Sequence, residues 1–179
     1  MIDALHDEVD RRAAAVALRQ AGKLACARGC SGCCVDGLTV FEVEAERIRR
    51  GAAELLVSAQ PHPPGRCAFL GKEGECRIYA LRPYVCRTQG LPLRWIEDET
   101  DYRDICELND VAVETLEPEE CWTIGEFEER LALLQRDGKR VALRDLFADR
   151  RLLSRRDGGG PHTSIAGGVR SVDRRRPAG

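Results

Sequence analysis

Residues 26–34 read Cys26-Ala27-Arg28-Gly29-Cys30-Ser31-Gly32-Cys33-Cys34, four cysteines within nine positions. Closely spaced thiolates let one loop wrap a soft cation at little closure entropy. Cysteine sulfur suits zinc, iron–sulfur and copper(I), whereas magnesium and calcium want oxygen. Gly29 and Gly32 stand beside ligand positions, where a tightly turned backbone can need a positive φ. Neighbouring side chains diverge in most backbone conformations, so Cys33 and Cys34 are expected to serve two metals, or one of them to pack in the core. A free cysteine can also be a small buried hydrophobe. That reading suits Cys121, isolated beside Trp122, better than four cysteines at this spacing.

Cys67, Cys76, Cys86 and Cys106 follow and supply further ligands. The eight divide into two four-ligand sites, or seven serve one site plus a partial one; the sequence does not say which thiols share a site. The chain around them has 179 residues, a formal charge of −2, and 43% hydrophobic and 32% charged residues. That is a globular composition. The charge leaves no cationic excess to neutralise a polyanion, so no nucleic acid is expected as a partner. No window approaches the roughly 18 apolar residues of a membrane span, and no membrane partner is expected. The start, Met1-Ile2-Asp3-Ala4-Leu5-His6-Asp7-Glu8, is acidic and polar, unlike a secretory signal. The expectation is a cytoplasmic protein, and there a patterned cysteine set points to metal or catalysis rather than to disulfides.

Ile2, Leu5, Val9, Ala13 and Val16 predict an amphipathic helix ending near Gly22. Thr39-Val40-Phe41-Glu42 predicts a capping box, opening a helix with Phe41, Ala45, Ile48, Ala52, Leu55 and Ala59 on one face until Pro61. Cys67 to Tyr79, around a Gly71–Gly74 turn, predicts a short hairpin. Leu91 to Asp104 is open between strand and loop, and a short helix is expected after Asn109-Asp110. A second box, Thr123 to Glu126, opens a helix bearing Ile124, Phe127, Leu131 and Leu134. A last helix is expected from about Arg140 to Leu153. The predicted fold is mainly α with a small β-hairpin, a compact domain organised around a cysteine-ligated metal site or cluster. Its parts are an N-terminal helix (1–22), a cysteine-cluster domain with C-terminal helices (23–154) and a disordered basic tail (155–179) holding Arg174-Arg175-Arg176.

The ordered set of motifs resembles the YkgJ-type cysteine-cluster family, the CxxCxxCC zinc- or iron-chelating domain. The matching pieces are residues 26–34, Thr39 to Glu46, Cys67-Ala68-Phe69-Leu70, Cys76-Arg77-Ile78-Tyr79, Arg82-Pro83-Tyr84-Val85-Cys86-Arg87 and Cys106-Glu107-Leu108-Asn109. The first interval departs from the family's label, with three residues between Cys26 and Cys30 instead of two. The resemblance implies metal chelation, by Cys26, Cys30, Cys33, Cys34, Cys67, Cys76, Cys86 and Cys106. The Cys26-x3-Cys30-x2-Cys33 spacing is also that of radical S-adenosylmethionine enzymes. Gly32 replaces their usual aromatic, however, and no strand–helix alternation for a partial barrel is visible.

Arg82 and Arg87 flank Cys86, where cations lower a thiol's pKa or simply pair with carboxylates. Tyr79 is placed either as a donor to a sulfur or in the core with a wet hydroxyl. His6, His62 and His162 make poor ligands by position, and no catalytic residue is identified. The expected cofactor is iron, an iron–sulfur cluster or zinc. The expected role is electron transfer, metal handling or assembly with a protein partner. Two alternatives stand beside it: a zinc-stabilised interaction module, and a metal-dependent modifying enzyme like the flagellin lysine N-methylases that carry a similar domain.

Overall fold

The computed structural model describes residues 1–27, 29–135 and 137–148. Helix α1, Ile2–Arg19, forms as its periodicity requires, with Ile2, Leu5, Val9 and Ala13 buried. Its stripe packs on Phe41, Tyr84, Leu91, Trp122, Phe127 and Leu131. Within that cluster Trp122 Nε1 donates to Tyr84 Oη at 2.8 Å, which satisfies the polar ends of two aromatics in an apolar setting.

The next segment differs from the predicted helix. Thr39–Phe41 is a strand, β1, and helix α2 runs from Glu42 to Gly51. The cap is shifted accordingly: Glu44, not Glu42, reaches back, its Oε2 accepting the Phe41 N–H at 3.3 Å. Glu42 and Glu44 in the first turn and Arg49 and Arg50 in the last complement the helix dipole. A non-helical Ala52 (φ −121°, ψ 26°) separates α2 from helix α3, Ala53–Ser58.

Helix α4, Tyr84–Thr88, follows a short 3₁₀ turn at Tyr79–Leu81. Strands β2, Leu93–Glu97, and β3, Thr100–Asp104, form an antiparallel hairpin. Its two turn residues, Asp98 and Glu99, have φ of 50° and 63°, the backbone a tight two-residue hairpin requires. Strand β4, Trp122–Thr123, pairs parallel with β2. Helix α5, Glu126–Leu133, buries Phe127 and Leu131. Strand β5, Arg140–Ala142, pairs antiparallel with β1, Val40 opposite Val141. Helix α6 spans Asp145–Ala148.

These elements correct the predicted fold class. Among the described residues there are six helices and five strands in two small sheets, a mixed α/β fold rather than a mainly α one. Arg140–Ala142, expected as the start of a helix, is drawn into the β1–β5 pair because Val40 and Val141 bury together there. The segment Cys67–Tyr79 holds one isolated bridge, Leu70 to Cys76, and the regular hairpin lies instead at 93–104. After Asn109 two 3₁₀ turns form in place of the expected helix, at Val113–Thr115 and Pro118–Glu120. The remainder of the last expected helix and the tail, 155–179, lie outside the described residues. Nor is the fold organised around a preformed metal site. It rests on two apolar cores, the α1 cluster and a second one in which Val40, Ile48, Leu56, Phe69, Val141 and Leu146 meet. No helix among the described residues is long and apolar enough to cross a membrane.

Glu44 joins the two cores. It is 2% exposed; Oε1 accepts the Tyr84 N–H at 2.7 Å and lies 3.0 Å from His6 Nε2. One carboxylate thereby ties α1, α2 and α4. Glu44→Ala leaves two buried N–H groups and an imidazole unpartnered, and is expected to cost on the order of 3 kcal/mol of stability. Denaturant titration checks this against Glu46→Ala, an exposed control expected to cost under about 0.5 kcal/mol. Equal midpoints for the two variants would refute the tie.

Candidate metal centre

Three hydrogen-bonding side chains shape the cysteine loops. Arg66 binds the first loop: Nη2 donates to Ser31 O (2.6 Å) and Ser31 Oγ (3.0 Å), and Nε to Cys34 O (3.3 Å). The Cys67 N–H also donates to Cys34 O at 2.9 Å, so Cys34 and Cys67 are backbone neighbours. Arg144 grips from behind. Its Nε donates to both oxygens of Asp36 (2.8 and 3.1 Å), and its other nitrogens to the carbonyls of His62, Pro63 and Arg66. Asn109, buried, closes the far side: Oδ1 accepts the Ala25 N–H at 2.7 Å, and Nδ2 donates to Gly90 O at 2.7 Å. Since Asn109 N–H also donates to Cys106 O, one residue gathers the chain beside Cys26, Cys86 and Cys106.

Seven cysteines line one partly open cavity of about 190 Å³: Cys26, Cys30, Cys33, Cys34, Cys67, Cys76 and Cys86. Cys106 lies beside Cys26, outside the cavity wall but close enough to act on its charge. Among the described residues the lining holds no carboxylate and no imidazole, and Arg82 is its one basic side chain. Gly90 (φ +91°) lies against Cys26 Sγ, where any side chain would collide. All nine cysteines are free thiols; Cys26 and Cys30 are exposed, Cys67 is buried and the other cavity thiols are half-buried. Cys121 is elsewhere, buried before β4 and outside the cavity lining.

The thiols converge without closing. Among the described residues no three His, Cys, Asp or Glu side chains stand as a group that could hold a metal ion. The donors nonetheless fit zinc or iron in kind, being sulfur throughout. Burial pushes the thiols of Cys67 and Cys76 up from their ordinary values, and that of Cys86 up to about 12. Cys33 runs the other way, lowered to about 6 against its burial, first by a hydrogen bond from Cys34, then by its own backbone amide and by Arg82 and Arg66; the Cys34 thiol, as donor, is raised.

The other flagged side chains divide. Arg82 stands at the cavity with its guanidinium 3.8 Å from the Tyr79 ring centroid. Tyr79, placed by sequence at a sulfur or in the core, is instead an exposed part of the rim. Arg87 turns away to an ion pair with Asp10 of α1. His6 is bound to Glu44, and His62 is half-buried and outside the cavity lining; His162 lies outside the described residues. Sequence reasoning missed the roles of Arg66, Asn109 and Arg144. Only Asn109 left a trace, as the last residue of Cys106-Glu107-Leu108-Asn109.

Residues 25–111, a little under half of the chain, match the sequence profile of the CxxCxxCC family, "Putative zinc- or iron-chelating domain". The match bears out the resemblance carried by the motifs and takes in all eight cysteines from Cys26 to Cys106, leaving out Cys121. In class, then, the segment is similar to a domain described as zinc- or iron-chelating. No curated protein and no solved structure matches the chain.

Arg144 lies outside the matched segment, yet it holds the loops that carry Cys34 and Cys67. Arg144→Ala should speed amide hydrogen exchange at Gly65 and Cys67 by about ten- to hundredfold, since hydrogen bonds to charged groups contribute roughly 1.5–3 kcal/mol. Arg144→Lys, which keeps the charge but not the fork, should fall between. Exchange at the wild-type rate in the alanine variant would mean that the loops stand without it.

Proposed function

We propose that this protein handles zinc or iron, holding it with Cys26, Cys30, Cys33, Cys34, Cys67, Cys76, Cys86 and Cys106, in the cytoplasm and in company with a protein partner. The observation that supports this is the thiol-rich wall: seven cysteines, Cys86 from α4 and six from the loops, line one cavity whose described lining holds no carboxylate and no imidazole. Such a wall offers sulfur ligands. When bound, the metal supplies a Lewis-acid centre or, if it is iron, an electron carrier. Everything else falls to the chain. Arg66 and Arg144 keep the Cys34 and Cys67 loops together, Asn109 keeps the Cys26 and Cys106 loops together, and Arg82 offers a positive charge to the thiolates as they form.

Protons must leave for metal to enter. Cys67, Cys76 and Cys86, raised by burial, are protonated at neutral pH in the metal-free fold. Metal uptake therefore releases protons, and apparent affinity rises as pH rises from 6 towards 9, on the order of tenfold per pH unit for each proton displaced. Calorimetry in buffers of different ionisation enthalpy measures the release.

The decisive test is metal and acid-labile-sulfide analysis of protein purified anaerobically. At least one zinc or iron per chain is expected, retained in Cys121→Ser and strongly reduced in the double variant Cys67→Ser/Cys76→Ser. Iron with sulfide supports an electron-transfer role, and zinc alone a metal-handling or structural one. Protein that purifies, and reconstitutes, without metal refutes the proposal.

A further inference from the structure

Strand β3 lies at the edge of its sheet, which runs in the order β3-β2-β4. The two-residue turn at Asp98 and Glu99 makes Glu97 and Thr100 the first hydrogen-bonded pair of the hairpin, and bonded and non-bonded pairs then alternate. Thr100, Tyr102 and Asp104 therefore turn their amides and carbonyls to β2, whereas those of Asp101 and Arg103 point away from it. Among the described residues no backbone group bonds to these outward ones. The chain after Ala112 reaches β3 by a side chain instead, Arg103 donating to Leu116 O. The aromatic pair on the hairpin is also unclaimed. Trp95 and Tyr102 stack at 5.5 Å between centroids, half-buried, and belong to neither apolar core. An open edge of this kind is a template for another strand.

The residues of the edge select that strand. Thr100-Asp101-Tyr102-Arg103-Asp104 is complementary to itself when two copies run antiparallel about Tyr102. Asp101 then faces Arg103 of the second copy, Arg103 faces its Asp101, and the Thr100 hydroxyl can donate to its Asp104 carboxylate. The hydrogen-bonded positions of this register are Asp101 and Arg103, the two whose backbone groups are free. Tyr102 meets Tyr102 as a close non-bonded pair, so the Trp95 and Tyr102 rings of both copies continue into one row. Moving the register by two residues either way keeps the outward groups paired but sets Asp101 against Asp101 or Arg103 against Arg103. Like charges directly opposite are unfavourable, so one register stands out.

We propose that β3 is the interface of a symmetric dimer, two copies of this chain joined edge to edge into one continuous sheet about a two-fold axis at Tyr102. The pairing uses no thiol and no metal, and it stands whether or not the metal reading does. Five residues a side fall well below the roughly 20–30 of a standard interface, so the dimer is weak and depends on concentration. Charges that usually guard an edge strand against pairing here choose the partner.

Sedimentation equilibrium of the full-length protein, reduced so that no disulfide joins two copies, should show monomer giving way to dimer between about 1 μM and 1 mM. Asp101→Arg and Arg103→Asp each set like charges against one another at both positions, and each alone should dimerise about tenfold or more weakly. An equimolar mixture of the two variants should recover the wild-type association, because opposite charges then meet at both positions; misfolding would not produce that recovery. In the wild type, hydrogen exchange at the Asp101 and Arg103 amides should slow as concentration rises, while that at Tyr102, bonded within the hairpin, should not. Wild-type protein still monomeric at about 1 mM overturns the proposal. So does a dimer indifferent to both variants, a mixture of them that stays apart, or exchange at Asp101 and Arg103 that ignores concentration.

Discussion

The Glu44 carboxylate is the constraint on which the arrangement of this chain turns. Burying an ionised carboxylate is unfavourable unless its oxygens are hydrogen-bonded, and Glu44 meets that condition with the Phe41 amide, the Tyr84 amide and His6. Each partner belongs to a different part of the fold. The Phe41 bond stops β1 and starts α2. The Tyr84 bond sets the first turn of α4 and, two residues on, the position of Cys86. The His6 contact presses α1 onto both. Two apolar cores that share no polar centre of their own are thereby held in one orientation, with the cysteine loops on the side of the α2 core.

The same residue explains where the sequence misleads. Thr39 and Thr123 each stand three positions before a glutamate and suggest capping boxes, yet both lie in strands. In each case the reaching carboxylate is two residues further on, Glu44 to Phe41 and Glu128 to Gly125 at 2.8 Å. A threonine whose backbone is already paired in a ladder is not free to cap. The strand that claims Thr39 could not be seen locally, because its partner lies about a hundred residues away and each strand is three residues long. The α1 stripe was legible for the opposite reason: eighteen residues of one period need no distant partner to declare themselves.

The cysteines follow a similar division. Their chemistry was legible, since closely spaced thiols have few other uses, and their convergence on one cavity agrees with it. Their support was not. Arg66 and Arg144 are two among 28 basic residues, and what sets them apart is a set of carbonyl oxygens brought together only by folding. Tyr79 and Arg87 show the reverse. Both adjoin cysteines in sequence, yet one is a rim residue and the other faces away toward α1.

A metal-binding domain can place its ligands in two ways. It can leave them unstructured until the metal arrives, as small zinc modules do, or it can build their loops on a fold that stands by other means. Here the second holds. Phe69 and Phe147 pack at 4.8 Å between centroids beneath the Cys67–Cys76 segment, and Arg144 spends its guanidinium on Asp36 and three carbonyls rather than on any thiol. Among the described residues no three potential ligands stand as a group that could hold an ion, whereas the loops that carry the cysteines are held by side chains that are not thiols. Cys67 is buried and Cys26 and Cys30 are exposed, yet all three stand on loops that Arg66, Arg144 or Asn109 hold in place.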